Sequence, residues 1–170
     1  MQRQKILGIF GEETFPKLGK GYSTKKRGIA IKKIMHLIEH LGANLVYMIP
    51  TEGVCHEMLA IFNMMEIPYI LVVPHRDFMH IANPKYKALI HQACMDAKNV
   101  IVMDESDEIS KKNILMDEAI KFVYDNSNKI LSIKSNTKKN SNLLNQVDAI
   151  CGSAPEDSYI QFIYDDDLGD

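Results

Sequence analysis

The stretch Asn44–Val73, NLVYMIPTEGVCHEMLAIFNMMEIPYILVV, decides the fold. It opens on a short run, Asn44–Ile49, that is apolar on both faces rather than alternating. It breaks at Pro50-Thr51-Glu52-Gly53 and closes on a second such run, Tyr69–Val73. Between the two, Val54, Met58, Ile61, Phe62 and Met65 recur at helical spacing. Two doubly apolar strands joined through a helix make a βαβ unit, with parallel strands covered on both sides.

The same unit extends in both directions. Upstream, Lys5–Phe10 (KILGIF) reads as a strand, and Ile31, Ile34, Met35, Ile38 and Leu41 mark one face of a helix that Gly42 stops. Downstream, Asn99–Met103 (NVIVM) and Lys129–Ile133 (KILSI) read as strands. Helices are predicted over about 84–97, where Pro84 suits a first turn, and about 113–124, with Leu115, Ala119, Phe122 and Val123 inward. Five strands alternating with four helices predict an α/β fold: a single doubly wound, Rossmann-like domain over residues 1–164, its core at 5–133, with a mostly parallel five-stranded sheet. Leu143–Ile150 reads as a short helix and Tyr159–Tyr164 (YIQFIY) as an added edge strand. Residues 135–141 (SNTKKNS) read as a polar surface loop, and 165–170 (DDDLGD) as a flexible acidic tail.

Composition narrows the functional classes. With 46% hydrophobic and 25% charged residues in 170, the chain has the profile of one ordinary globular domain. No apolar run approaches the roughly 18 residues that span a bilayer, and the N-terminal segment lacks the apolar stretch of a signal peptide. Cys55, Cys94 and Cys151 are odd in number and form no CxxC pair, which argues against a disulfide framework or a zinc site. A cytoplasmic protein is expected, with no membrane partner, no metal and no cofactor. The formal net charge of -2 hides an asymmetry: residues 1–33 carry nine Lys/Arg against two Glu, and residues 156–170 carry six Asp/Glu and no Lys/Arg.

Open α/β sheets bind ligands beyond the carboxyl ends of their strands, where the strand order reverses. That rule selects the candidate site. Gly11, Glu12, Thr14, Lys17 and Lys20 lie in the glycine- and lysine-rich first loop, a cationic segment suited to phosphate or simply to solvent. Thr51, Glu52, Gly53 and Val54 lead into a helix N-terminus, where amides meet anions, or where Thr51 merely caps. His75 and Arg76 end the third strand, Arg76 suiting a phosphate fork or a surface pair with Asp77. Asp104 and Glu105 end the fourth, placed for ribose hydroxyls or for water. There is no Walker loop, no GxGxxG and, with Ala60 where a second His would stand, no HExxH. His36 and His40 read as exposed, and Cys55 as a packed small residue without a base.

The order of these loops resembles the SLOG superfamily, the Rossmann-like group with lonely-guy (LOG), DprA-like and YpsA-like branches. KILGIFGEETF resembles its first strand and glycine turn. Residues 44–74 resemble its second strand, phosphate loop, helix and third strand, and residues 99–133 its fourth strand, ligand loop, acidic helix and fifth strand. The resemblance covers about residues 5–133 and implies a nucleotide or nucleotide-derived ligand lying across the loops. Glu118 matches the glutamate of the lonely-guy motif PGGxGTxxE by position, but DESDEISKKNILMDE here has no glycine, and only His91 or Lys87 lies near the place of the enzymes' arginine.

Three functions stay open. The first is a sensor or sequestering module for a phosphorylated nucleotide derivative. The second is an N-glycosidic hydrolase or transferase acting on nucleoside monophosphates, with Glu118 or Glu57 catalytic. The third is an interaction protein with a degenerate pocket. A homo-oligomer is expected, and nucleic acid is not an expected partner, since the basic excess is confined to one loop.

Overall fold

The computed structural model describes residues 4–13, 24–79, 84–104, 112–135 and 142–164. Thr14, Lys17, Lys20, Glu105, residues 136–141 and the acidic tail at 165–170 lie outside the described residues. The elements run β1 (Ile6–Gly11), α1 (Thr24–Leu41), β2 (Leu45–Met48), α2 (Val54–Met65), β3 (Tyr69–His75), α3 (Pro84–Asp96), β4 (Asn99–Asp104), α4 (Lys112–Asn126), β5 (Lys129–Lys134), α5 (Asn142–Cys151) and β6 (Tyr159–Ile163). A single 3₁₀ turn, Arg76–Met79, follows β3.

The strands form one six-stranded sheet in the order β4-β3-β2-β1-β5-β6, and every neighbouring pair is parallel. The C-terminal strand therefore joins the predicted sheet, at its edge beside β5. Full coverage explains the lack of alternation: β3 is buried at all seven positions and β1 at five of six.

The chain steps from β1 to β4 in one direction, then returns across β1 to place β5 and β6 on its other side. With right-handed crossovers, the two directions put their helices on opposite faces. One core accordingly joins Ala30, Ile34 and Ile38 of α1 and Val54, Met58 and Phe62 of α2 to Leu7, Ile9, Val46 and Leu131. The other joins Ala119, Ile120 and Val123 of α4 and Leu144 and Val147 of α5 to Phe10, Val72 and Ile130. Successive side chains of a strand point to opposite faces, so Ile9 and Phe10 enter different cores. Each fully buried Leu or Ile contributes about 1.5–3 kcal/mol.

Two asparagines fix the amino end of the central strand. Asn44 Oδ1 accepts from the Lys5 amide and Asn128 Oδ1 from the Ile6 amide, both at 2.8 Å. At this end Lys5, Leu7, Leu41, Ala43, Lys129 and Asp157 line a cleft of about 560 Å³. Among the described residues, no helix is long and apolar enough to cross a membrane.

Candidate ligand-binding site

The reversal of strand order falls between β1 and β5, so the crevice at the carboxyl end is bounded by the segments that follow those two strands. The Glu12 amide donates to Ile133 O at 3.1 Å, carrying the β1–β5 ladder one residue beyond β1. Glu12 itself is buried, at 2% exposure.

The α2 N-terminus is pressed against this segment. Val54 N donates to Glu12 O at 3.0 Å, so the first helical amide is taken by the β1 loop. Gly53 is the N-cap residue, at φ 83° and ψ -122°, a conformation essentially restricted to glycine. A Cβ at this position would meet Glu12 O and the Glu13 carbonyl carbon, both at 2.5 Å. One at Gly11 would meet Val54 Cβ and Cγ1 at 2.7 Å. The two glycines are what allow strand end and helix end to touch.

Thr51 does not cap the helix, because no side chain caps α2. Its amide instead closes a tight turn onto Ile49 O at 2.7 Å, with its side chain buried near the Cys55 thiol. Burial pushes that thiol up to about 11, against the lowering influence of the Thr51 side chain and of the Gly11 and Thr51 backbone. Cys55 is thus a packed, protonated thiol, as its sequence reading has it. His56, buried in the same turn, is pushed below its ordinary value of 6.5 by burial, which outweighs Glu52, the Pro50 backbone and Glu57.

Glu57 and Arg27 form an ion pair that ties α2 to the first turn of α1, each side chain 28% exposed. One turn of helix separates Glu57 from Gly53, and Glu57 N donates weakly to Gly53 O at 3.4 Å.

The structure therefore gathers Gly11, Glu12, Thr51, Gly53 and Val54 into one patch, with Arg27 and Glu57 beside it. His75 and Asp104 form a second group. They are register partners at the ends of β3 and β4, and the His75 ring meets Phe78 edge-on at 5.9 Å. At roughly 4.8 Å per strand, His75 lies about 10 Å along the sheet from the β1 end. Arg76, like Glu52, is exposed. Glu118 is exposed on α4, in the layer opposite Glu57, so these two carboxylates do not face one site.

A polar cluster between β5, β6 and α5 escapes sequence reading. Lys134, only 8% exposed, donates to Asp148 Oδ1 and Oδ2 at 3.1 and 3.0 Å and to Gln161 Oε1 at 2.9 Å. The Tyr159 phenol donates to Asp148, and Ser132, fully buried, lies near the same phenol. Burial first, then Asp148, raises the Tyr159 pKa well above its ordinary value. The signal was Ser132 and Lys134 two residues apart, polar groups sharing one face of an otherwise apolar strand. Ser135, assigned to a polar surface loop, is buried beside them. Among the described residues, no three His, Cys, Asp or Glu converge as a metal site.

No protein-family model matches the chain, and a search of curated proteins finds no similar sequence.

Proposed function

We propose that this protein binds a nucleotide or nucleotide-derived phosphorylated ligand at the carboxyl ends of its strands, as a sensor or sequestering module. One observation carries the reading: a helix N-terminus and a glycine-dependent strand end meet beside the reversal of strand order, with Arg27 at hand. A phosphate entering here would compete with Glu57 for the guanidinium, while His75 and Asp104 lie within a nucleoside's length along the sheet. The resemblance to the SLOG superfamily supports the same ligand class.

The N-glycosidase alternative draws less support, because Glu57 is engaged by Arg27 and Glu118 faces solvent from the opposite layer. The test is a thermal-shift and calorimetric screen of mono-, di- and cyclic nucleotides against ribose 5-phosphate and inorganic phosphate. A saturable rise in Tm with a nucleotide, exceeding that with phosphate alone, is expected. No shift with any of them at millimolar concentration overturns the proposal. Release of free base, abolished by Glu118→Gln, would replace it with the enzymatic reading.

A further inference from the structure

We propose that β4 is a homodimer edge, along which two copies pair antiparallel to make one continuous twelve-stranded sheet. A parallel sheet is ordinarily covered throughout, and an uncovered apolar edge strand is a template for another strand. β4 is such an edge. Among the described residues it ends the sheet, its sequence NVIVMD has four apolar residues in a row, and none of its six positions is buried, whereas its neighbour β3 is buried throughout. Val102 is 36% exposed, and α3, which leads into β4, leaves Leu89 and Met95 exposed as well.

The occupant follows from charge and register. A twofold axis perpendicular to the sheet keeps each face continuous, so paired residues must share a face and their numbers must have an even sum. Centring the axis on Ile101 sets Val100 opposite Val102 of the second copy. It also sets Lys98 opposite Asp104 of the second copy, twice by symmetry. Two opposite-charge pairs then bracket an apolar centre, an arrangement that stabilises cross-strand pairing. The other edge lacks this complementarity. In sequence β6 is flanked by Glu156 and Asp157 before it and Asp165–Asp167 after it, so like charges oppose its self-pairing.

The experiment is sedimentation velocity on the full chain at several concentrations, with Lys98→Asp, Asp104→Lys and their equimolar mixture. A dimer is expected for the native chain, with at least about tenfold weaker association in each variant alone from like charges placed opposite one another. The mixture should dimerise again, because both cross-strand pairs then join opposite charges. A native chain that stays monomeric at about 200 µM overturns the proposal, and so does a dimer that Lys98→Asp leaves intact. If Asp104→Lys fails to fold, hydrogen exchange over residues 99–104 of the native chain at about 2 and about 200 µM decides. Protection of β4 that rises with concentration supports the edge, and protection that does not overturns it.

Discussion

The guanidinium of Arg27 on α1 is held by the carboxylate of Glu57 on α2, beside the glycine that opens the second helix. Both side chains are partly exposed, so the pair is worth only about 0.5–1 kcal/mol to the fold. Under the proposed function, its larger effect is to occupy the cation that the ligand's phosphate would otherwise meet. Arg27→Ala should weaken nucleotide binding by about tenfold or more, as expected for loss of a charge-assisted hydrogen bond. Glu57→Gln should tighten binding a few-fold by releasing the guanidinium. Isothermal titration on both variants checks this, and weaker binding in Glu57→Gln would instead make the carboxylate a ligand contact.

Gly53 should tolerate no side chain. Gly53→Ala combines a strained backbone region with a contact of 2.5 Å to Glu12 O. The strain alone is about 1–3 kcal/mol, and the neighbour is backbone, which yields poorly. Urea denaturation should show a loss of at least about 2 kcal/mol, with the m-value unchanged.

Acid should destabilise the fold through His56. Its folded-state pKa lies below 6.5, so the unfolded chain takes up more protons as the pH falls. The stabilisation is complete above about 6.5 and is lost as the pH drops through that value toward the folded pKa. Tm should therefore fall from pH 7.5 to pH 5.5, and His56→Gln should flatten that slope. An unchanged slope in the variant would assign the acid sensitivity elsewhere.

Removal of Lys134 should be costly out of proportion to its one charge. Lys134→Met takes the charged donor from Asp148, which keeps the Tyr159 phenol, and from Gln161 inside the α5–β5–β6 layer. Breaking a fully buried pair costs about 3–5 kcal/mol, and the partial exposure of Asp148 lowers this to about 2. Replacing Asp148 with Asn in the same chain should recover part of the loss. A double-mutant cycle measured by chemical denaturation reports the coupling.

The strands were legible because parallel strands buried on both faces carry short runs of Ile, Val and Leu, and the helices between them carry a stripe of period 3.6. Asn44–Val73 shows both at once, and its βαβ unit appears as β2, α2 and β3. Lateral order was not legible, since periodicity records which face is buried and not which strand lies alongside. That β1 stands between β2 and β5 decides which loops border the crevice, and it brings in Lys134 and Ser135, which no strand-end list contained. The Arg27–Glu57 pair spans 30 residues and leaves no local pattern. Thr51 carried a capping signal that tertiary packing overrode, because Gly53 takes the N-cap and the Thr51 amide closes a turn onto Ile49 O.

The central place of β1 also sets a timetable for synthesis. The Ile6 amide and the Asn128 side chain that receives it are 122 residues apart. At roughly 5–20 residues per second, about 6–24 seconds pass between their emergence from the ribosome. Through that interval the nascent chain can assemble β1 to β4 with α1–α3, yet one side of its middle strand stays open until β5 follows, and the opposite layer has α4 without α5. Arrested nascent chains ending before β5 are therefore expected to be protease-sensitive along β1, with resistance gained only after α5 is out.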